Sequence, residues 1–246
     1  MKFKDDFFNL LGKLKRNEHF AYTRFSDGEI CVMQDKELKL ADDHVILGET
    51  HYDFGYTTDD HKHYEPSKHG FLKDALIEAY KYKKENYFVG GICKGCTCAS
   101  EEFAPWMHDL YGNVDENLTS ANLLVNSNYP MYIGHFIPEL KKKKVVFICS
   151  ENADLSKCGF DIVKDFRVGK NCIINDHHLV ADIKKWIEDN NIANHVFLFS
   201  ASSLSEVLIY ELYRDYESNT YIDVGTTLHP YIGLEIQRDY LRAYHN

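Results

Sequence analysis

The stretch from Arg24 to Glu29 reads RFSDGE and carries the residue types with the clearest chemistry in the chain. Asp27 and Glu29 flank a glycine, and residues at positions i and i+2 of an extended or loop segment point the same way. Such hard oxygen ligands suit Mg²⁺ or Mn²⁺, which proteins often hold with one or two carboxylates plus substrate phosphates. Arg24 would supply a planar fork of donors for a phosphate oxygen.

A structural explanation of the same residues is also available. Asp-Gly is a common turn sequence, and Asp27 can act as the cap of a short helix predicted to start near Ile30. The residues alone therefore leave a metal site and a plain turn both open.

Further candidates follow strands predicted later in the chain. Asp223 lies late in an apolar strand, where a buried carboxylate costs free energy unless it has a partner or a role. It is a candidate general base or ligand of a sugar hydroxyl, and capping of the loop after Gly225 explains it equally well. His229 is a candidate hydrogen-bond donor to a phosphate, or a candidate base, although its neighbour Pro230 also fits a simple turn.

Two polar loops complete the candidate site. Asn152 follows a continuous apolar run, and Ser202 and Ser203 precede a helix predicted from Leu204 to about Asp215. The open amides at the start of such a helix would bind a phosphate. The spacing of Ser203 and Glu206 also matches a capping box, which explains both residues without a ligand.

Strands and helices alternate in the hydrophobic pattern. Several predicted strands are apolar at every position, which is typical of strands that are covered on both faces. The sequence therefore predicts an α/β fold: a Rossmann-like, mostly parallel sheet with helices on both faces. Strands are expected at 20–25, 87–92, 145–149, 166–174, 195–199 and 221–225, and the last helix at 232–244. In such a sheet, ligands bind at the carboxyl ends of the strands, where the polar loops fall.

The whole chain, 1–246, is expected to form a single domain, because many α/β folds of this length form one unit. A long irregular loop is expected at about 40–70, where no hydrophobic period appears. Its histidines include His61 and His63, a spacing that zinc could use, although the composition favours a solvated loop lining a substrate cleft.

Composition excludes several classes of function. A net charge of −10 argues against a nucleic-acid-binding surface, which usually shows as a basic stripe. No apolar run is long enough for a membrane span, and the acidic N-terminus does not resemble a secretory signal, so a cytoplasmic location is expected. An acidic protein that handles an anionic substrate needs a cation or a focused basic site, which favours the metal interpretation.

Seven cysteines, an odd number, indicate free thiols in a reducing compartment. The cluster of Cys93, Cys96 and Cys98 is the exception, because it has the spacing of half a zinc site. A structural zinc site needs four ligands, no second close pair follows, and His108 would complete the site only if the fold brought it near. The ligand count therefore favours a thiol-rich loop.

The RFSDGE stretch resembles the Arg-Phe-Gly-Asp-Gly-Glu signature of the GT-D glycosyltransferases. The segment from Phe199 to Gly225 is similar to the late strand–loop–helix–strand of that family, and the order and separation of the two blocks agree. The resemblance spans most of the chain and is specific at its two ends. The sequence differs from the family pattern at Ser26, where glycine is usual, and at Ser202-Ser203, where a Gly-Pro-Thr-like turn is usual.

The resemblance implies a Rossmann-like sheet that binds a nucleotide sugar, with Asp27 and Glu29 as ligands of Mn²⁺ or Mg²⁺. The implied reaction transfers a hexosyl or pentosyl group from a nucleoside diphosphate sugar to an acceptor hydroxyl of a glycan or glycoconjugate, with a UDP-sugar favoured as donor. Asp223 would deprotonate the acceptor or orient the donor sugar.

Two other functions stay open at this stage, and so does a homodimer as the oligomeric state. A metal held by Asp27, Glu29 and loop histidines could activate water, giving a hydrolase of a nucleotide sugar or phosphoester. A non-catalytic protein that binds sugar nucleotides would have the same sequence features.

Overall fold

Strands and helices alternate along the chain, as the hydrophobic pattern predicts. The computed structural model describes residues 3–41, 44–52, 61–92, 103–113 and 115–245. The strands in these ranges are β1 (Ala21–Arg24), β2 (Leu38–Ala41), β3 (His44–Leu47), β4 (Thr50–Tyr52), β5 (Lys62–Tyr64), β6 (Tyr87–Gly91), β7 (Leu118–Ser120), β8 (Lys144–Ser150), β9 (Asp161–Val168), β10 (Val196–Phe199) and β11 (Thr220–Asp223).

The helices in the same ranges are α1 (Phe3–Arg16), α2 (Asp27–Met33), α3 (Pro66–Lys81), α4 (Phe103–Tyr111), α5 (Tyr129–Met131), α6 (Ile137–Leu140), α7 (Cys172–Asn175), α8 (Leu179–Asp189), α9 (Leu204–Asp215) and α10 (Asp239–His245). A π-helical turn at Tyr132–Phe136 joins α5 to α6, and 3₁₀ segments lie at Asn126–Asn128 and Gly225–Tyr231. None of the helices in the described ranges combines the length and apolarity needed to cross a bilayer.

A parallel sheet of seven strands lies at the centre, in the order β7-β6-β1-β11-β10-β8-β9. The chain leaves β8 toward β9 and leaves the adjacent β10 in the opposite direction, toward β11. The strand order therefore switches between β8 and β10, and a crevice opens at the carboxyl ends of strands at such a point. The predicted Rossmann-like α/β fold is confirmed.

The sheet buries one hydrophobic core on each face. In β8, Val145 and Phe147 belong to one core, whereas Val146 and Ile148 belong to the other. Because successive side chains of a strand point to opposite faces, a strand that is apolar throughout can serve both cores. Helices α2, α3, α8 and α9 pack on one face, and α1, α6 and α10 pack on the other.

A second, small sheet replaces the irregular loop expected at 40–70, so that expectation is wrong for the part of the segment that the structure describes. Its antiparallel strands have the order β4-β3-β2-β5, and residues 53–60 lie outside the described ranges. Leu38 pairs with both Leu47 and Tyr64. His63 lies in β5 and His61 directly precedes that strand, and the Nε2 atom of His63 lies 3.6 Å from the Oε1 atom of Glu37. The sequence missed the sheet because its short strands show no period and depend on one another for pairing.

Two element boundaries also differ from the sequence prediction. The strand expected at 166–174 is β9, which ends at Val168, and α7 follows it after a turn. The helix expected at 232–244 is limited to α10, and an irregular segment precedes it. Boundaries of this kind depend on tertiary packing more than on local pattern.

The cysteines within the described residues are free and buried, namely Cys31, Cys149, Cys158 and Cys172. These thiols pack in the interior, as small apolar side chains do. The cluster of Cys93, Cys96 and Cys98 lies outside the described residues.

Phe147 is completely buried in β8, so Phe147→Ala should lower the free energy of unfolding by about 3–5 kcal/mol. The control is Val163→Ala on the edge strand β9, where the side chain is 42% exposed and the change should stay within about 0.5 kcal/mol. Urea unfolding followed by circular dichroism measures both. Equal losses for the two variants would contradict the placement of the core.

Candidate functional site

The carboxyl ends of β1, β8, β10 and β11 surround a cavity of about 300 Å³. Most of the residues singled out from the sequence border it: Arg24, Asp27, Glu29, Asn152, Ser202, Asp223 and His229. Ser203 does not border the cavity and lies buried behind it. The parallel sheet therefore brings together residues as distant in the chain as Arg24 and His229.

Asp27 and Glu29 lie in the first turn of α2 and not in a loop. Side chains at i and i+2 of a helix do not face the same way, so the geometry assumed for them from the sequence is wrong. Asp27 accepts the Gly28 N–H at 3.1 Å and faces the cavity. Glu29 folds back and accepts both the N–H and the hydroxyl of Ser26 at 3.0 Å, which closes the start of its own helix.

Glu29 also connects α2 to α9. Its second oxygen accepts the hydroxyl of Ser203 at 2.5 Å, and its side chain is largely buried. Both oxygens of Glu29 therefore have donors from the protein. The capping box expected from Ser203 and Glu206 does not form, because the Ser203 hydroxyl donates to Glu29 instead.

Arg24 and Asp223 form a buried pair between the neighbouring strands β1 and β11. The Arg24 Nη1 and Asp223 Oδ2 atoms are 3.6 Å apart, and Arg24 Nε donates to the Ala121 carbonyl at 2.9 Å. Asp223 also accepts the Gly225 N–H at 2.8 Å. Arg24 thus has protein partners at two of its nitrogens, while its side chain still borders the cavity.

Glu206 is a site residue that the sequence interpretation missed. It lies on α9, is 1% exposed and borders the cavity. Its Oε1 atom accepts the Arg24 N–H at 3.4 Å, while its Oε2 atom has no hydrogen-bond donor among the described residues. The signal available in the sequence was a glutamate directly before the apolar run Val207-Leu208-Ile209 in a predicted helix; the structure buries every position from Leu204 to Ile209.

The electrostatics of the cavity favour protonated carboxyl groups. Asp27 is exposed to the cavity, and its pKa is raised first by desolvation from the surrounding wall and then by the nearby Glu29 carboxylate. Burial also raises the pKa of Asp223, against the opposing effect of the Arg24 guanidinium. The pKa of Glu206 is raised well above its usual value by burial and then by Asp223 and Glu29.

The start of α9 offers fewer open amides than the sequence suggested. The Leu204 N–H donates to the Ala201 carbonyl at 3.2 Å, and the Ser205 N–H donates to the Ser202 carbonyl at 2.8 Å. Ser202 itself adopts a left-handed conformation with φ of +53° and borders the cavity. A phosphate at this turn would therefore meet Ser202 and not the two amides that follow it.

The remaining wall comes from segments that the sequence did not connect with the site. Asn152 is exposed after β8, and His229 lies in the 3₁₀ segment after β11. Lys62 of β5 and Arg238 before α10 also border the cavity, and their positive charges lower the pKa of Asp27. Such cations offset the repulsion between an acidic protein and an anionic substrate.

Asp27 fits a divalent cation better than Glu29 does. Among the described residues, no three His, Cys, Asp or Glu side chains are grouped as a metal cage would require. Mg²⁺ and Mn²⁺ do not need one, since a single carboxylate plus substrate phosphates can hold them. Asp27 borders the cavity, and its pKa is raised first by desolvation and then by the Glu29 carboxylate; a bound cation would offset both effects. Glu29 as a second ligand stays a prediction.

Solved structures share this fold. A structure of the domain of unknown function 1792, described as having a distinct glycosyltransferase fold, is 17% identical with a TM-score of 0.54, covering 94% of this chain and 83% of that chain. A structure described as a new glycosyltransferase (DUF1792) from Streptococcus sanguinis is 14% identical with a TM-score of 0.53, covering 90% of this chain and 80% of that chain.

At these identities the likeness concerns the fold, and at that level the resemblance to GT-D glycosyltransferases is confirmed. No protein-family model matches the chain, and no curated protein matches it either.

Ser203→Ala should lower the free energy of unfolding by about 1–3 kcal/mol, because one oxygen of the buried Glu29 loses its donor. Ser218→Ala, in an exposed turn, is the control and should change stability by at most about 0.5 kcal/mol. Urea unfolding compares the two. Unchanged stability of the Ser203 variant would show that the bond to Glu29 does not form.

Gly225 has a positive φ of +49°, and a Cβ there would collide with Arg24 Nη1. Gly225→Ala should therefore cost about 1–2 kcal/mol for the backbone and a further ~1–3 kcal/mol for displacing the guanidinium. Gly112→Ala is a matched control, because Gly112 has φ of +80° and nothing lies within 4 Å of its Cβ position. Equal losses of unfolding free energy in the two variants would contradict the close approach of Arg24.

Proposed function

We propose that the protein is a glycosyltransferase, which moves a sugar from a nucleoside diphosphate sugar to an acceptor hydroxyl of a glycan or glycoconjugate. The observation that carries the proposal is the cavity at the carboxyl edge of the sheet, where Asp27 borders a wall with two cations and Asp223 pairs with Arg24. A fold shared with proteins that are described as glycosyltransferases supports it.

The donor would bind with its diphosphate along the wall that holds Asp27. Mn²⁺ or Mg²⁺ bound by Asp27 would supply Lewis-acid neutralisation of the charge that develops on the leaving diphosphate. Lys62 and Arg238 would attract the same diphosphate through their positive charges, since both border the cavity near Asp27. In a chain of net charge −10, these cations focus the binding of an anion.

Asp223 is the group best placed to handle the acceptor proton. The Gly225 N–H and the Arg24 guanidinium hold its carboxylate at the cavity edge. A general base works best when its pKa lies near the operating pH, and burial shifts the pKa of Asp223 upward in that direction. Asp223 would accept the proton of the acceptor hydroxyl as that hydroxyl attacks the sugar.

Asp223→Asn should lower kcat by about 100-fold or more and change the KM for the donor little, because the amide keeps the shape but cannot accept the proton. Asp182→Asn is the control, since Asp182 lies on α8 with a side chain that is 58% exposed. Release of the nucleoside diphosphate measures the rate in both variants. Full activity of the Asp223 variant would exclude it as the base.

Binding of UDP-glucose, measured by calorimetry with and without Mn²⁺, tests the metal. We expect tighter binding with Mn²⁺, and we expect Asp27→Ala to remove the difference. Metal-dependent binding that survives this substitution would contradict Asp27 as the ligand. If neither UDP-sugars nor GDP-sugars bind, the transferase proposal fails, and donor cleavage that no acceptor accelerates would favour a hydrolase.

A further inference from the structure

Three buried carboxyl groups lie close together on the wall of the cavity, and one of them pairs with a cation. Glu29, Glu206 and Asp223 are each less than a tenth exposed and influence one another electrostatically. The cation beside Asp223 is the guanidinium of Arg24. Burying an ionised carboxylate is costly unless it is paired and hydrogen-bonded, so three negative charges at this point are unfavourable. This cost falls if one of the three carboxyl groups carries a proton.

The hydrogen bonds show which group that is. Glu29 accepts three donors, two from Ser26 and one from Ser203, as an ionised carboxylate does. Asp223 accepts the Gly225 N–H and faces Arg24. Glu206 accepts one long bond, and its Oε2 atom receives no donor among the described residues. Glu206 is therefore the group whose charge is least compensated.

We propose that Glu206 is a positioning residue for Asp223: its carboxyl stays protonated and donates a hydrogen bond to the Asp223 carboxylate. The proposal rests on the proposed transferase function in so far as Asp223 is the base. A carboxylic acid that is kept neutral in a dry site can serve as a hydrogen-bond donor, and two adjacent carboxyl groups commonly share one proton.

This arrangement explains features that the rest of the site leaves unexplained. An oxygen of Glu206 without a donor is costly for a carboxylate, whereas a protonated oxygen beside Asp223 has a partner. The shared proton leaves one negative charge on the pair of Glu206 and Asp223, opposite Arg24, while Glu29 is held by its three hydrogen bonds from Ser26 and Ser203. The groups that act on Glu206 from the surrounding elements are Arg24, Glu29, Tyr87 and Asp223, and burial among them raises its pKa well above the usual range.

The pH dependence of stability tests the proton without any use of activity. A raised pKa means that folded Glu206 keeps a proton that the unfolded chain releases, so this group's contribution to stability falls as pH rises above its ordinary value of 4.5. Glu206→Gln cannot ionise and should abolish that fall. Its unfolding free energy relative to the natural protein should therefore increase steadily with pH.

The matched control is Glu211→Gln on the same helix, where Glu211 forms surface ion pairs with Lys184 and Arg214. Its stability relative to the natural protein should not increase with pH in this way. A constant difference between Glu206→Gln and the natural protein at every pH would show that Glu206 is ionised in the fold, and it would overturn the proposal.

Turnover of a donor sugar tests the positioning role. Glu206→Gln keeps a donor for Asp223 and should retain kcat within about threefold at neutral pH, whereas Glu206→Ala should lose about 10-fold to 100-fold. The kcat of the natural protein should fall at alkaline pH as Glu206 ionises. The kcat of the glutamine variant should not show this fall. A glutamine variant as inactive as the alanine variant, or an unchanged profile, would overturn the role.

The two experiments separate the proposals. If the natural protein turns over no sugar nucleotide, the transferase proposal fails, and the stability measurements still decide whether Glu206 holds the proton.

Discussion

The structure at the edge of the sheet depends on how Arg24 and a few hydrogen-bond donors compensate the buried carboxyl groups of Asp223, Glu206 and Glu29. Arg24 ends β1, next to β11, and faces Asp223 there, while its backbone N–H contacts Glu206 from α9. A charged group in such a site is tolerated only when its partners are in place. The relative positions of β1, β11 and α9 therefore depend on the contacts that Arg24 makes with Asp223 and Glu206.

A hydrogen bond from Ser203 to Glu29 holds α2 and α9 together. The pattern Ser-x-x-Glu occurs at the start of both helices, with Ser26 and Glu29 in the first and Ser203 and Glu206 in the second. In α2 it closes the helix on itself, whereas in α9 the serine reaches across to Glu29 and the glutamate turns toward Asp223. The first pair closes its own helix, whereas Ser203 and Glu206 contact residues of other elements at the site.

The cavity wall joins parts of the chain that share no local pattern. Lys62 comes from the small antiparallel sheet, and Arg238 comes from the segment before α10. Together with Asp27 they form a mixed wall of both charges, which suits a ligand that combines a diphosphate with a bound cation. Lys62 and Arg238 thus place positive charge within a wall that also carries several carboxyl groups.

The sequence by itself determined the α/β class, the positions of the long buried strands and the edge of the sheet where polar residues gather. These features depend on hydrophobic period and on the register of parallel strands, both of which are local or regular. Residues as distant as Asp27 and Asp223 were correctly expected at one edge for that reason.

Only the tertiary structure decided which partner each side chain takes. The small sheet at 38–64 depends on pairing between short strands, and the roles of Glu29, Ser203 and Glu206 depend on contacts across more than 170 positions. Each donor or charge pairs with the groups that the fold brings near it. A capping pattern in the sequence does not reveal whether a residue distant in the chain will take the serine hydroxyl instead, as Glu29 does with Ser203.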